Sequence, residues 1–145
     1  MKINERLESL KLDEVTLLAP YEVNAFNLEK KFLLSLDEER LLRGFCDIAK
    51  IKSDAPLYGG WETSAIQGHT LGHYLTALSQ AYKVSGEEAF RKKVDRITDV
   101  LAECQEKNGG YLAAIPEEHY IKLEKGDPDG TWVPWYSMHK ILAGL

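Results

Sequence analysis

The sequence is poor in several kinds of residue, and each shortage excludes a class of protein. Its 145 residues include only two cysteines, Cys46 and Cys104, with no CxxC pair and no nearby histidine partner. Neither a disulfide framework nor a zinc knuckle is indicated, and we expect both thiols to be ordinary core residues. Acidic residues outnumber basic ones, for a formal net charge of −5. That balance argues against a nucleic-acid partner.

Long apolar runs are also missing. No stretch approaches the length of a membrane-spanning helix, and the start, MKINERLESLKLDEV, has charges where a secretion signal needs an apolar segment. We therefore expect no membrane partner and a cytoplasmic location.

Familiar catalytic motifs are lacking as well. The sequence has no GxSxG, no glycine-rich phosphate loop and no cysteine beside a base. Several carboxylates fall in loops, but only Glu62 has neighbours that suggest a site. Glycosidic cleavage ordinarily needs two opposed carboxyl groups, and no second one stands out. We assign no catalytic residue.

Helical periodicity is abundant, and it predicts an all-α fold. An extended arm or short strand is expected before Pro20. Asp37 should cap a helix, a capping box should join Ser85 to Glu88, and Gly86 should allow a tight corner. The predicted helices cover about 22–36, 37–50, 69–83, 87–107, a segment from Pro116, and the stretch from Pro134 onward.

Short corners alternate with long irregular stretches at 51–67 and 109–131, where DPDG should form a turn. This alternation suits a toroid of helical hairpins that gathers its long loops at one end, although a generic bundle is also possible. The last helix is predicted to carry an apolar side made of Trp135, Met138, Ile141, Leu142 and Leu145. That open side leads us to expect self-association or packing against a further part of a toroid.

The stretch GHTLGHYLTAL, residues 68–78, sets two glycines and two histidines four apart in a predicted helix. His69 and His73 fall on one stripe, roughly opposite an apolar stripe. They are interpreted as partly buried histidines bonded to loops, as lining of a pocket, or as metal ligands. The metal alternative is weaker because HTLGH lacks the glutamate of HExxH, and we assign no metal ligand.

Two further segments combine aromatic and polar side chains. In YGGWE, Trp61 and Glu62 could offer a flat ring and a carboxylate to a sugar, or Trp61 could anchor a loop while Glu62 caps a helix or lies exposed. The segment WVPWYSMHK repeats the combination of aromatic ring and imidazole. We hypothesise one shared substrate-binding site, whose candidate residues are Trp61, Glu62, His69, His73, Trp135, Tyr136 and His139.

Five blocks carry a family resemblance: LLSLDEERLLRGF, YGGWE, GHTLGHYLTALSQAY, LAECQEKNGGYLAAIPEE and WVPWYSMHKILAGL. In order and spacing they resemble the β-L-arabinofuranosidases of glycoside hydrolase family 127 and the related family 146. The resemblance implies an (α/α)6 toroid that acts on terminal β-linked L-arabinofuranose. Residues 1–145 would be the N-terminal portion of that single catalytic domain, truncated before its end.

The resemblance also implies a retaining mechanism with a zinc-bound cysteine thiolate as nucleophile and a glutamate as acid/base. These parts belong to later blocks of the family, and neither Cys46 nor Cys104 lies in a matching block. We therefore expect no zinc site in this chain and no hydrolase activity from it alone. Its role would be to supply one wall of a pocket for an L-arabinofuranose-containing carbohydrate. The alternative is a non-catalytic carbohydrate-binding or structural helical module.

Overall fold

The computed structural model describes residues 8–127 and 129–145, and these residues form helices and loops without a β-strand. Residues 1–7 of the charged start and Pro128 of the predicted turn lie outside the described residues. Two 3₁₀ turns occur, at Leu12–Glu14 and Gly60–Thr63. The α-helices are α1 Pro20–Ser35, α2 Glu38–Ile48, α3 His69–Ser85, α4 Glu88–Lys107, α5 Glu118–Glu124 and α6 Pro134–Gly144.

The first hairpin, α1 and α2, begins and turns as the capping rules predict. Pro20 occupies the first position of α1, where its missing N–H costs nothing. The Asp37 carboxylate accepts hydrogen bonds from the backbone N–H groups of Glu39 and Arg40, which fixes the start of α2. Of the two alternatives for the segment before Pro20, the strand is wrong among the described residues. The segment is an arm that carries the short 3₁₀ turn, and Val15 and Ala19 after that turn have extended backbone.

The second hairpin, α3 and α4, contains most of the core. Large apolar side chains from α2, α3 and α4 are buried together, and each stabilises the fold by about 2 kcal/mol. Those at most 1% exposed on these three helices are Leu42, Phe45, Leu71, Leu75, Leu78, Phe90, Ile97, Leu101 and Cys104.

The corner between α3 and α4 differs from the prediction in one detail. Gly86 has a left-handed φ of 69° and ends α3, as expected. The capping box is wrong, because Ser85 still belongs to α3 and its hydroxyl donates to the Ala81 carbonyl at 2.7 Å. The N-cap of α4 is Glu87, which makes no side-chain capping bond.

The last two helices also depart from the predicted pattern. α5 begins two residues after Pro116 rather than at it. On α6 the buried side chains are Pro134, Ser137 and Ile141, whereas Leu142 and Leu145 of the predicted apolar side are 67% and 60% exposed. The packed side of α6 is therefore narrow.

Helices α3 and α6 run parallel and touch through their backbones. A Cβ on Gly72 would lie 2.2 Å from the Lys140 carbonyl oxygen, and one on Gly144 would lie 2.6 Å from the Gly72 carbonyl oxygen. Only glycine permits so close a crossing. Farther along, the Thr76 hydroxyl donates to the Ala143 carbonyl at 3.4 Å. Contacts that advance together on both helices show that their N-termini lie at the same end.

The prediction of an all-α fold built from helical hairpins is confirmed. None of the described helices is both long and apolar enough to cross a membrane. The parallel arrangement of α3 and α6 determines where the candidate site lies, since both helices begin beside the two long loops.

Candidate functional site

A cluster of aromatic and imidazole rings lies where α3 and α6 begin. We call Trp61, His69, His73, Trp132 and Tyr136 the ring cluster. The His69 ring is central: its centroid lies 6.1 Å from that of Trp61, 6.3 Å from that of His73 and 5.9 Å from that of Tyr136. Trp61 and Trp132 are 5.7 Å apart. Residues 61–73 and residues 132–136, which are distant in sequence, therefore contribute to one surface.

The indole rings of this cluster are open to solvent. Trp61 is 61% exposed and Trp132 is 55% exposed, although both rest against other rings. An exposed flat ring held by its neighbours offers an apolar face to a ligand. The cluster therefore combines stacking surfaces with polar ring nitrogens.

Glu62 lies beneath the cluster and is only 5% exposed. Its Oε2 accepts from the Gly68 N–H at 2.8 Å, and its Oε1 accepts from the Thr70 N–H at 3.2 Å. Gly68 is the N-cap residue of α3 and Thr70 lies in its first turn, where backbone N–H groups have no partner within the helix. The carboxylate thus caps α3, which is one of the two alternatives that the sequence left open.

The same carboxylate orients His69. The His69 Nδ1 lies 2.8 Å from the Ile66 carbonyl oxygen and 3.3 Å from Glu62 Oε1. Both neighbours are hydrogen-bond acceptors, so Nδ1 carries the proton. In the neutral ring, Nε2 is then left as an acceptor.

His73 and Tyr136 form a polar pair across the helix crossing. His73 Nε2 lies 3.3 Å from the Tyr136 hydroxyl, and the Lys140 ammonium lies 4.9 Å from the Tyr136 ring centroid. Burial lowers the pKa of His73 below its usual range, and the nearby Lys140, His69 and His139 lower it further. The imidazole of His73 is accordingly neutral at pH 7.

The structure brings together five of the seven candidate residues: Trp61, Glu62, His69, His73 and Tyr136. Trp135 is separate, with its ring 4.9 Å from that of Tyr120 in an edge-to-face contact. His139 lies exposed on α6, close enough to affect the pKa of His73.

Two members of the site were not selected from the sequence. Trp132 contacts Trp61, and Lys140 lies against Tyr136. Trp132 belongs to the same WVPWY segment that supplied two candidates, so its position before Pro134 could have indicated it. Lys140 had no such signal, since a lysine on a helix is usually a solvated residue.

The zinc chemistry implied by the resemblance does not fit the residues described here. Cys46 and Cys104 lie buried in the core between α2 and α4, away from the ring cluster. Burial raises the pKa of both thiols, that of Cys104 to about 12, so neither is a thiolate at neutral pH. Within residues 8–127 and 129–145, no group of three or more histidine, cysteine or acidic side chains could hold a metal ion.

Comparison with known proteins agrees with the sequence resemblance. A search of curated proteins found no match. The family profile described as "Beta-L-arabinofuranosidase, GH127 catalytic domain" matches residues 14–145, almost the entire chain. The matched region includes every segment that contributes to the ring cluster. The chain is thus a glycoside hydrolase-related domain, and it belongs to the β-L-arabinofuranosidase family, glycoside hydrolase family 127.

Proposed function

We propose that the ring cluster is one wall of a sugar pocket that receives terminal β-L-arabinofuranosyl residues. The observation that carries this proposal is the convergence of Trp61, His69 and Tyr136, from two segments distant in sequence, at the common end of α3 and α6. Family membership supplies the class of ligand, a carbohydrate.

The chemistry of the cluster suits a sugar ring. A furanose has an apolar C–H face and an edge of hydroxyl groups. The exposed indoles of Trp61 and Trp132 would stack on the apolar face. The acceptor Nε2 of His69 and the polar pair of His73 and Tyr136 would bind hydroxyls. Glu62 would lie beneath the sugar and hold the His69 ring in place. Both of its carboxylate oxygens already accept hydrogen bonds from backbone N–H groups at the start of α3.

Titration of methyl β-L-arabinofuranoside, followed by tryptophan fluorescence, tests this function. We expect a saturable change that Trp61→Ala abolishes and His73→Ala weakens. Trp135→Phe is the matched control, because it alters an exposed tryptophan of α6 outside the ring cluster and keeps an aromatic ring against Tyr120. A response that disappears equally in Trp135→Phe, or no response to the sugar at all, would contradict the proposal.

We further propose that this chain binds the sugar without cleaving it. The thiols lie in the core and the Glu62 carboxylate caps a helix, so the ring cluster has neither a nucleophile nor a second carboxyl group at hand among the described residues. The purified 145-residue chain should release no arabinose from an aryl β-L-arabinofuranoside. Activity that appears when a partner fragment is added would indicate that the catalytic groups come from elsewhere in a toroid.

A structural helical module is the competing function. It would unfold cooperatively and carry the same rings, but the fluorescence titration would show no response to sugar.

A further inference from the structure

A cavity of about 350 Å³ adjoins the ring cluster on the side of α1 and α2. It is an open cleft bordered by the junction between α1 and α2, the start of α2, residues 58–62 and the first turn of α3. Its lining residues are Leu36, Leu41, Tyr58, Gly59, Trp61, Glu62, His69 and Thr70.

The walls of this cavity are mostly apolar and fixed in place. Leu41 is 3% exposed and forms part of the core. The Tyr58 hydroxyl accepts a hydrogen bond from the Asp37 N–H at 2.8 Å, and the Arg40 guanidinium carbon lies 3.9 Å from the Tyr58 ring centroid. The ring of Tyr58 is therefore held on one face by a cation and at its hydroxyl by the backbone.

The polar groups of the cavity are already engaged. The Glu62 oxygens accept from the Gly68 and Thr70 N–H groups, and His69 Nδ1 donates to the Ile66 carbonyl. Among these groups only His69 Nε2 is left as a free acceptor, and it lies where the cavity meets the ring cluster. An uncharged aromatic group would lose little on leaving water and would gain contact with the leucines and rings.

The cavity continues directly into the ring cluster, since Trp61 and His69 belong to both. We propose that it is a subsite for an uncharged aromatic aglycone, carried by a glycoside whose sugar lies on the ring cluster. An apolar cavity of about 150 Å³ is large enough for benzene, so this volume admits one substituted aromatic ring. The assignment rests on the proposed function, because the sugar would orient the aglycone toward the cavity.

Binding of three small molecules, measured by ligand-observed NMR or calorimetry, tests the subsite. Phenyl β-L-arabinofuranoside should bind roughly tenfold more tightly than methyl β-L-arabinofuranoside, because the phenyl ring is buried. Phenol alone should bind more weakly than the phenyl glycoside.

Two variants narrow the cavity. Leu36→Trp and Thr70→Met should each abolish the higher affinity for the phenyl glycoside. The affinity for the methyl glycoside should stay unchanged. Leu28→Trp, at a 55% exposed position on α1 outside the cavity, is the matched control and should keep the advantage. Circular dichroism verifies that each variant is folded.

The outcomes separate this inference from the proposed function. Equal affinities for the phenyl and methyl glycosides, or an advantage that survives in both narrowing variants, would overturn the subsite and leave the sugar site intact. Phenol binding as tightly as the phenyl glycoside, with no binding of the methyl glycoside, would contradict both assignments. Tighter binding of the phenyl glycoside than of the methyl glycoside, lost only in the narrowing variants, would support both the subsite and the sugar site.

Discussion

At the scale of single residues, the Glu62 carboxylate makes two kinds of contact, one with the backbone at the start of α3 and one with His69. Its carboxylate caps the first turn of α3 and also lies 3.3 Å from His69 Nδ1 within the ring cluster. YGGWE indicated an aromatic ring beside a carboxylate, and that juxtaposition exists. The burial of the carboxylate could not be read from the segment, because it depends on where the loop meets α3.

Removing the Glu62 carboxylate should destabilise the protein. Glu62→Ala leaves the buried Gly68 N–H and the half-buried Thr70 N–H without acceptors, which should cost about 2 kcal/mol of the free energy of unfolding. Urea denaturation followed by circular dichroism measures this cost. Glu117→Ala is the control, since Glu117 precedes α5 but makes no capping bond, and it should change the free energy by less than about 0.5 kcal/mol. Equal losses in the two variants would refute the capping role.

His73 should make stability depend on pH. Its pKa is lowered in the folded chain by burial and by Lys140, His69 and His139, whereas the unfolded chain titrates at the ordinary value of about 6.5. The unfolded state therefore binds a proton more readily than the folded state does. The contribution of neutral His73 to stability is full above the ordinary pKa of about 6.5, and it is lost as the pH falls through the lowered pKa of the folded chain.

Thermal melts at about pH 7.5 and about pH 5.5 check this expectation. The wild-type chain should melt at a lower temperature in acid, and His73→Gln should show a smaller decrease between the two conditions. The substituted glutamine retains a polar side chain beside Tyr136 but does not titrate. The same decrease in both proteins would show that His73 is not responsible.

At the scale of helices, apolar periodicity predicted some elements well and others poorly. The stripe of Leu71, Leu75 and Leu78 on α3 is completely buried, because three large side chains at helical spacing determine which face packs. The same argument was only partly right for α6. Ile141 of the predicted apolar side is buried and Met138 is partly buried, whereas Trp135, Leu142 and Leu145 are exposed. The remaining contacts of α6 use Ser137 and the backbone, which apolar periodicity does not indicate.

The sequence predicted one partner of the crossing between α3 and α6 but not the other. Gly68 and Gly72 indicated a thin side of α3 that would admit either a backbone or a ligand. The structure shows that the backbone of α6 lies against Gly72, while the rings gather just beyond it. A single sequence does not state which helix will fill a gap, since the partner is about seventy residues away.

Gly72→Ala should separate α3 from α6. The new methyl group would meet the Lys140 carbonyl oxygen at 2.2 Å, and a backbone atom cannot move aside as a flexible side chain can. We expect a loss of about 3 kcal/mol in the free energy of unfolding and a weakened contact between His73 and Tyr136. Urea denaturation measures the first effect and the sugar titration the second.

Gly86→Ala is the control for this substitution. A Cβ at Gly86 meets nothing within 4 Å, so only its left-handed φ of 69° should cost energy, about 1 kcal/mol. Unchanged stability of Gly72→Ala would mean that the two helices do not touch as described.

At the scale of the molecule, exposed apolar residues are concentrated on two surfaces. One comprises α1 and the arm before it; the other is the outer side of α6. Examples are Leu18 at 85%, Tyr21 at 81%, Phe32 at 56%, Leu142 at 67% and Leu145 at 60%. Surfaces of this kind favour association.

We expect the isolated chain to self-associate as its concentration rises. Sedimentation velocity should detect larger species, and the double substitution Leu142→Lys with Leu145→Lys should reduce them by placing charge on α6. Glu103→Lys, on an exposed side of α4, adds positive charge elsewhere and should have a smaller effect. A monomer at every concentration tested would contradict this prediction.

The backbone contact between α3 and α6 determines how the site can respond to a ligand. With carbonyl groups against glycine, the two helices cannot slide or rotate by even the width of a methyl group without a clash. The relative backbone positions of His73 and Tyr136 are consequently fixed by the crossing. Under the proposed function, adaptation to different sugars would fall to the outer tryptophans, Trp61 and Trp132, which lie outside both helices and are mostly exposed. The helix residues His73 and Tyr136 would then select the pattern of sugar hydroxyls. The loop residues Trp61 and Trp132 would tolerate different shapes of the sugar ring.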